Sequence, residues 1–322
     1  MSRTRLYRHG VLEAEGFPVA DVSDHVADPS CAVWFDLCSP SPEELAVISE
    51  ELGLHKLAVE DVLHDRQRPK LDVYDSHLFL TVYGERLDAD TGQLASTEIN
   101  IFVTRTALVT VRANDAFDIG EVTRRWDASR DLAKHGVGFL LHGLLDVVVD
   151  GHFEVIQALD DQIEALESDL FDGQPSRHLQ RHTFALRKSL VAFRRGALPM
   201  REVVNSLLRR DLHVVEPAMA PYYQDVYDHV LRVAEWADSL RDLVSNIRET
   251  HLAQQGYRLN DIMKKLTGWA AIIAVPTMIT GFYGQNVPYP GSEQPIGFWT
   301  SAIIIVAASL GLYLAFRKRD WL

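Results

Sequence analysis

The chain has 322 residues, and its 45 Asp and Glu outnumber its 32 Lys and Arg, which gives a formal net charge of −13 at pH 7. Because a nucleic-acid partner requires a basic face, this charge excludes DNA and RNA from the expected partners. An acidic surface suits cations, although a purely solubilising surface would have the same composition.

The first part of the chain, residues 1–135, is predicted to be a cytoplasmic α/β domain. Short runs rich in β-branched and aromatic residues predict strands, and a Ser-Pro-Glu-Glu start predicts a helix. The predicted strands are 32–37, 77–83, 98–103 and 107–111, and the predicted helix is 41–54. No apolar run follows the arginines near the N-terminus, so we expect no signal peptide.

The next part, residues 136–265, has a helical pattern throughout and is expected to end in a long stalk helix. Apolar residues at alternating spacings of four and three form a heptad seam, which is typical of helices that pack in a bundle. The seam consists of Val226, Val230, Val233, Ala237, Leu240, Val244 and Ile247.

The sequence contains no phosphate-binding loop, HExxH motif or nucleophile elbow, so we predict that the protein is not an enzyme.

Two uncharged stretches predict a transmembrane hairpin within residues 266–322, with spans at 266–283 and 296–316. A bilayer core of about 30 Å requires about 20 apolar residues in a helix, so each stretch can cross it. Basic residues flank both outer ends of the hairpin and are absent from its loop. The positive-inside rule therefore predicts a multi-pass protein of the cell (plasma) membrane, in contact with membrane lipid and with both termini in the cytoplasm.

The first span carries small and hydroxyl residues that a simple anchor does not need, namely Thr277, Thr280 and Gly281. Such residues allow close packing of helices, and polar groups at membrane depth tend to face a bundle or a pore. Since two helices cannot enclose water, both interpretations predict an oligomer.

Sequence motifs at the hairpin resemble a known family. Tyr283-Gly284-Gln285-Asn286 closes the first span, and Arg317-Lys-Arg-Asp-Trp-Leu322 follows the second. Earlier motifs in the same order are Trp34-Phe-Asp-Leu37, Glu60-Asp61-Val62, Gln67-Arg-Pro-Lys70 and Asn260-Asp-Ile-Met-Lys264. Together they resemble the CorA family of divalent metal cation (magnesium/cobalt) transporters, whose pore helix ends in Tyr-Gly-Met-Asn. The resemblance implies a homopentameric funnel-like channel with an α/β cytoplasmic domain, long stalk helices and a two-helix transmembrane hairpin.

The resemblance also implies an ion pathway along the first span. Asn286 would form a ring at the outer mouth that meets a hydrated cation, Gly284 would shape the turn, and Gln285 replaces the Met of the family motif. Asn260, Thr277 and Gly281 match pore-facing positions of the family, and Met263 and Leu266 match its hydrophobic constriction. Simple helix packing is the alternative explanation for these residues.

Four carboxylates of the cytoplasmic part match family residues that bind regulatory divalent ions between neighbouring subunits. These are Asp61 and Asp225, with Glu60 and Asp146 as further ligands. The resemblance thus implies a feedback switch in which bound Mg²⁺ cancels the repulsion between facing carboxylates. A helix cap or a surface charge is the ordinary role of a single Asp.

Three functions stay open after this comparison of motifs. The resemblance favours channel-like uptake of Mg²⁺, or of Co²⁺ or Ni²⁺, gated by intracellular metal. Gln285 departs from the family, as does a loop in which Glu293 is the sole acidic residue, so a Zn²⁺ transporter of the same architecture is an alternative. A membrane-tethered sensor or scaffold without transport is the third.

Overall fold

The computed structural model of the protein describes residues 3–18, 21–64, 67–88, 93–171, 176–209, 212, 214–285, 288 and 294–322. The chain divides into two compact units, Met1–Ser245 and Asn246–Leu322. The proposed three-part division at residues 135 and 265 stays a prediction.

The described part of the first unit contains one mixed sheet. Its strands are Arg3–Arg8 (β1), Val11–Glu15 (β2), Cys31–Cys38 (β3), Lys70–Val73 (β4), Leu78–Leu87 (β5), Leu94–Val103 (β6) and Ala107–Arg112 (β7). They lie in the order β2-β1-β3-β7-β6-β5-β4, with β3 and β7 parallel and the other neighbours antiparallel. Strands β5 and β6 form a β-hairpin in which Leu87 pairs with Leu94, while residues 89–92 of its turn lie outside the described residues.

The helices follow the expected change of pattern along the chain. They are Val22–Val26 (α1), Pro42–Leu52 (α2), Lys56–Leu63 (α3), Ile119–Ala128 (α4), Gly136–Phe171 (α5), Ser176–Ala197 (α6), Met200–Leu207 (α7), Ala220–Tyr283 (α8) and Pro295–Lys318 (α9). A 3-10 helix, Arg130–His135, precedes α5. The Ser-Pro-Glu-Glu start is confirmed as a capping box, in which Ser41 and Glu44 satisfy each other's backbone N–H groups.

Both faces of the sheet are covered, which explains why almost every side chain of its central strands β3 and β7 is buried. Along β3, Trp34 belongs to a cluster of buried residues that includes residues of α4, α5, α7 and the start of α8. Its neighbour Phe35 belongs to a second cluster with residues of α1, α2 and α3. Adjacent residues of a strand point to opposite faces, so the two clusters are the two sides of the sheet.

The heptad seam of α8 is confirmed as a buried stripe. All seven seam residues are at most 4 % exposed, including Ala237 at 0 % and Val244 at 4 %. Two polar contacts fix the register of this helix within the first unit: the Tyr223 hydroxyl donates to the Gly138 carbonyl at 2.8 Å, and Trp236 Nε1 donates to Asp160 Oδ2 at 3.1 Å.

Three helices of the described chain are long and apolar enough to cross a membrane. In the segment Arg130–Ser168, 67 % of the apolar window is buried inside the protein, so this segment is a core helix. The corresponding windows in α8 and α9 are 6 % and 0 % buried. Exposed apolar helices of this length fit insertion into a bilayer, and they are the two that the sequence predicts as spans.

Candidate ion pathway and regulatory carboxylates

The residues that the resemblance assigns to the pathway share one face of α8. At 3.6 residues per turn, they fall within an arc of roughly 120° around the helix. We call this set the candidate pore face; it comprises Asn260, Met263, Leu266, Thr277, Gly281 and Gly284. All six are exposed on the single chain. One helix therefore presents a strip that begins with the amide of Asn260, continues with the apolar Met263 and Leu266, and has hydroxyl or small residues farther along.

Proline and threonine modify the helix within this strip. Pro276 has no backbone N–H, so the carbonyl of Ile272 loses its helical donor. The Thr277 hydroxyl donates to the Ile273 carbonyl at 2.9 Å, and the Thr280 hydroxyl donates to the Thr277 carbonyl at 3.0 Å. Each hydroxyl thereby uses its proton inside the helix, and its oxygen keeps lone pairs that can accept hydrogen bonds from water.

The helix ends where the family motif begins. The Gly284 N–H donates to the Thr280 carbonyl at 2.9 Å, and the Gln285 N–H donates to the Phe282 carbonyl at 3.3 Å. A Cβ at position 284 would lie 3.0 Å from the Thr280 carbonyl oxygen, so glycine suits this tight end. Asn286, the residue assigned to the outer ring, lies outside the described residues.

The two ends of the hairpin that carry basic residues lie together within the second unit. A Cβ at Gly268, near the start of the first span, would lie 3.2 Å from Leu322 Cδ2. The C-terminal tail turns back on α9, where Trp321 stacks on Phe316 with 5.4 Å between ring centroids. The start of the first span and the end of the second are therefore neighbours, as an antiparallel helix pair requires.

Asp61 lies on α3 and is held by a lysine of the adjacent strand. Lys70 Nζ is 2.5 Å from Asp61 Oδ2 and 2.8 Å from Asp72 Oδ2. Lys70 and Asp72 are two residues apart on β4 and so point to the same side of the strand. Glu60, the neighbouring candidate, has an exposed side chain.

Asp146 lies on α5 and is held by an arginine of α4. Arg125 forms ion pairs with Asp146 and with Asp150, the latter at 2.5 Å. Burial raises the pKa of Asp146, and the guanidinium of Arg125 opposes that rise. Asp225 lies near the start of α8 with its side chain 68 % exposed, and His229 Nε2 is 3.9 Å from its Oδ1.

The comparisons with known proteins agree with the motifs. A sequence model described as "CorA-like Mg2+ transporter protein" matches residues 30–318 of the chain. The chain belongs to the CorA family. A cobalt/magnesium transport protein CorA from Thermotoga maritima is 28 % identical over 98 % of this chain and 91 % of its own length. A putative metal ion transporter YfjQ from Bacillus subtilis is 30 % identical over 92 % of both chains.

The fold is also that of a solved CorA protein. The complete structure of the CorA magnesium transporter from Methanocaldococcus jannaschii has a TM-score of 0.80, with 22 % identity over 100 % of this chain and 99 % of that one. The predicted fold class, with an α/β N-terminal part, a long helix and apolar C-terminal helices, is confirmed. CorA proteins are transporters, and that class of function requires no catalytic residues in this chain.

The four candidate CorA carboxylates do not assemble into a metal site within one chain. Among the described residues, no group of three or more His, Cys, Asp or Glu side chains is arranged to hold a metal ion. Two of the four carboxylates, Asp61 and Asp146, instead face a cationic side chain of the same chain.

Several residues around the carboxylates were not assigned from the sequence. Lys70 was noted as part of a motif without a role, and Arg125 and His142 carried no local signal. His142 is a half-buried residue of α5; burial lowers its pKa, whereas the nearby carboxylates of Asp146 and Asp225 raise it. It therefore lies close to two candidate ligands that are distant in sequence. Residues at such separations show no pattern that a single sequence could reveal.

Proposed function

We propose that the protein transports Mg²⁺ across the plasma membrane as a homopentamer, with Co²⁺ or Ni²⁺ as further substrates. The observation that supports this proposal most strongly is the candidate pore face, an exposed strip that ends at the Gly284-Gln285-Asn286 motif in a chain of the CorA family. Copies of α8 around one axis would line the pathway. The apolar surface of α9 would face lipid.

The chemistry of this strip suits a hydrated divalent ion. Mg²⁺ releases its water reluctantly and is commonly bound with several waters retained. Neutral oxygens, such as the Thr277 hydroxyl and the Asn286 amide, would accept hydrogen bonds from those waters without trapping the ion, as conduction requires. Met263 and Leu266, which are 51 % and 62 % exposed on the single chain, would form the apolar constriction at which a channel can close by dewetting.

Two substitutions test this pathway in liposomes that contain an ion-specific dye. Asn286→Ala is expected to slow Mg²⁺ entry about tenfold or more, because a hydrogen bond to a charged group contributes about 1.5–3 kcal/mol. Thr277→Val is expected to slow it roughly fivefold, because one hydrogen bond contributes about 1 kcal/mol.

The matched control for the threonine is Thr300→Val on α9. The Thr300 hydroxyl also donates to a carbonyl four residues earlier, that of Ile296, at 2.7 Å. It lies on the helix that we place outside the pore, so its loss should leave the rate of entry unchanged. Normal transport by Asn286→Ala would rule out the proposed contact of Asn286 with the hydrated ion, and equal effects of the two threonine variants would rule out the proposed role of Thr277.

Gln285 supports a second candidate, a Zn²⁺ transporter of the same architecture. This residue departs from the family motif beside the position that meets the ion. The same liposomes with a Zn²⁺ dye and an imposed pH gradient separate the two substrates. Faster entry of Zn²⁺ than of Mg²⁺, with dependence on the gradient, would favour the zinc transporter. A membrane-tethered sensor or scaffold would pass neither ion.

We further propose that internal Mg²⁺ closes the channel by binding between neighbouring subunits. The ligands would be Asp61 and Asp225, with Glu60 and Asp146 as additional oxygens. The exposure of Asp225 supports this proposal, since an exposed carboxylate is accessible to a neighbouring chain. Bound metal would supply positive charge between facing carboxylates and hold the subunits together.

The double variant Asp61→Ala, Asp225→Ala is expected to need about tenfold more internal Mg²⁺ for half-maximal inhibition, since each removed ligand lowers the affinity of the site. Inhibition is measured by varying the Mg²⁺ inside the vesicles. Asp242→Ala, an exposed carboxylate on α8 paired with Arg241, is the control for the change of charge. Unaltered inhibition in the double variant would rule out these ligands.

A further inference from the structure

Lys70 occupies the position beside Asp61 at which a regulatory cation would bind. Its Nζ is 2.5 Å from Asp61 Oδ2 and 2.8 Å from Asp72 Oδ2. The side chains of Lys70 and Asp61 are 29 % and 28 % exposed, so this pair is partly shielded from water. The ammonium group also lies 5.5 Å from the centroid of the Phe79 ring. Two carboxylates and an aromatic face therefore hold this cation in place.

The two carboxylates that contact Lys70 lie on different elements of the chain. Asp72 is on the same strand and two residues away, so β4 itself keeps its side chain on the same side as that of Lys70. Asp61 is on α3 and meets the lysine across the gap between helix and strand. Lys70 can thus release Asp61 and keep Asp72 as its partner, and the release costs less than full exposure of an unpaired ammonium group.

We propose that Lys70 is a built-in competitor of the regulatory divalent ion for Asp61, and that this competition sets the internal Mg²⁺ concentration at which the protein closes. This inference rests on the proposed regulatory role of Asp61. A fixed positive charge beside a ligand carboxylate repels an incoming cation and occupies one of its oxygens. The consequence is a weaker site that responds at higher Mg²⁺ than the carboxylates alone would.

The test measures Mg²⁺ binding without relying on transport. Full-length protein in detergent is titrated with Mg²⁺, and protection from limited proteolysis gives the concentration of half-maximal protection. Lys70→Met keeps an unbranched side chain over Phe79 and removes the charge; it should lower this concentration about tenfold, which corresponds to about 1.4 kcal/mol. Lys70→Gln should act in the same direction, and Lys70→Arg should restore the wild-type value.

Two further variants separate competition from general charge effects. Arg241→Gln removes one positive charge from an exposed pair on α8 and should leave the half-maximal concentration unchanged. In an Asp61→Ala background, Lys70→Met should have a much smaller effect, because the carboxylate for which the ions compete is gone and only the repulsion by the Lys70 charge remains. The unfolding midpoint in EDTA checks that each variant is folded. If Lys70→Met does not fold, Lys70→Gln and Lys70→Arg provide the same comparison.

The outcomes distinguish this inference from the regulatory proposal. If Asp61→Ala weakens protection by Mg²⁺ while Lys70→Met and Lys70→Gln leave it unchanged, Lys70 does not compete and the inference is wrong, although the regulatory site stands. If Asp61→Ala itself has no effect, the regulatory proposal fails and the inference fails with it. An effect of Lys70→Met that is undiminished in the Asp61→Ala background would also overturn the competition.

Discussion

Replacing Arg112 by Met is expected to lower the free energy of unfolding of the first unit by about 3–5 kcal/mol, because it leaves a buried carboxylate without its partner. Arg112 and Asp36 have side chains that are 2 % and 0 % exposed, with Arg112 Nη2 2.6 Å from Asp36 Oδ2. Arg112 Nε donates to Asp36 Oδ1 at 3.0 Å, so the pair is bidentate. It joins β3 to β7, the parallel pair at the centre of the sheet.

The same carboxylate is part of a longer chain of hydrogen bonds. The Thr110 hydroxyl donates to Asp36 Oδ1 at 2.7 Å, and Trp34 Nε1 donates to the Thr110 hydroxyl at 3.2 Å. Loss of Arg112 would disturb these bonds as well, so tryptophan fluorescence, to which the buried Trp34 contributes together with the five other tryptophans of the chain, is a suitable probe. Denaturant unfolding of the full-length protein, followed by that fluorescence, measures the effect.

Two comparisons decide whether loss of the buried Arg112–Asp36 pair causes the decrease in stability. Arg124→Met removes an arginine whose pairs with Asp118 and Glu121 are exposed, and it should change the unfolding midpoint far less. The double variant Arg112→Met, Asp36→Leu removes both buried charges and should lose less stability than the sum of the single changes. Additive losses would mean that the two side chains act independently.

The second large effect is a dependence of stability on pH that arises from Glu85. This residue of β5 is 6 % exposed, and it accepts one hydrogen bond, from the Ser96 hydroxyl to Oε2 at 2.6 Å. Its Oε1 has no hydrogen-bond partner in the part of the chain that is described. A Cβ at Gly196 of α6 would lie 2.2 Å from that oxygen, so helix and carboxyl are closely packed. Burial raises the pKa of Glu85 from 4.5 to about 8.

The direction in which stability changes with pH follows from the proton that the folded protein retains on Glu85. Below pH 4.5 Glu85 is protonated in both the folded and the unfolded chain, and the stability is not reduced. As the pH rises through 8, the unfolded chain has already released the proton, and the folded chain must either keep it or bury a charge. The interval from 4.5 to about 8 corresponds to a loss of roughly 5 kcal/mol.

Glu85→Gln is expected to remove this loss, so the variant should be more stable than the wild type at pH 8.5 and similar to it at pH 4. Unfolding midpoints between pH 4 and 9 test the prediction, with the exposed Glu51→Gln as control. The buried His152 titrates with the opposite sign, because burial lowers its pKa to about 4, so the difference between variant and wild type isolates Glu85. Parallel curves for the two proteins would show that Glu85 does not bind a proton on folding.

The sequence predicted those features that depend on local periodicity. The first predicted span ends at Tyr283, as α8 does, and α9 runs over Pro295–Lys318 where 296–316 was predicted. Long uncharged stretches and a regular seam are strong signals because many residues contribute to each. The central strands were found for the same reason, since their β-branched and aromatic residues are contiguous.

The features that were not predicted depend on contacts between distant residues. The first strand, β1, was missed because its sequence contains three arginines; Arg5 is buried there with its guanidinium paired to Glu15 at 2.9 Å and to Asp127, far along the chain, at 3.0 Å. The pair of Lys70 with Asp61 arises because β4 runs beside α3, and a separation of nine residues matches no regular period. Asn286 could be assigned from the motif alone, and its role remains a proposal.

The most direct test of the proposed transport is Mg²⁺ entry into sealed liposomes that contain the purified wild-type protein. A potassium gradient with valinomycin makes the vesicle interior negative, and an internal dye reports the ion. We expect Mg²⁺ entry that increases with the potential and stops when Mg²⁺ is preloaded on the side of the membrane that carries the first unit. Failure of Mg²⁺, Co²⁺, Ni²⁺ and Zn²⁺ all to enter faster than into protein-free liposomes would contradict the proposed function.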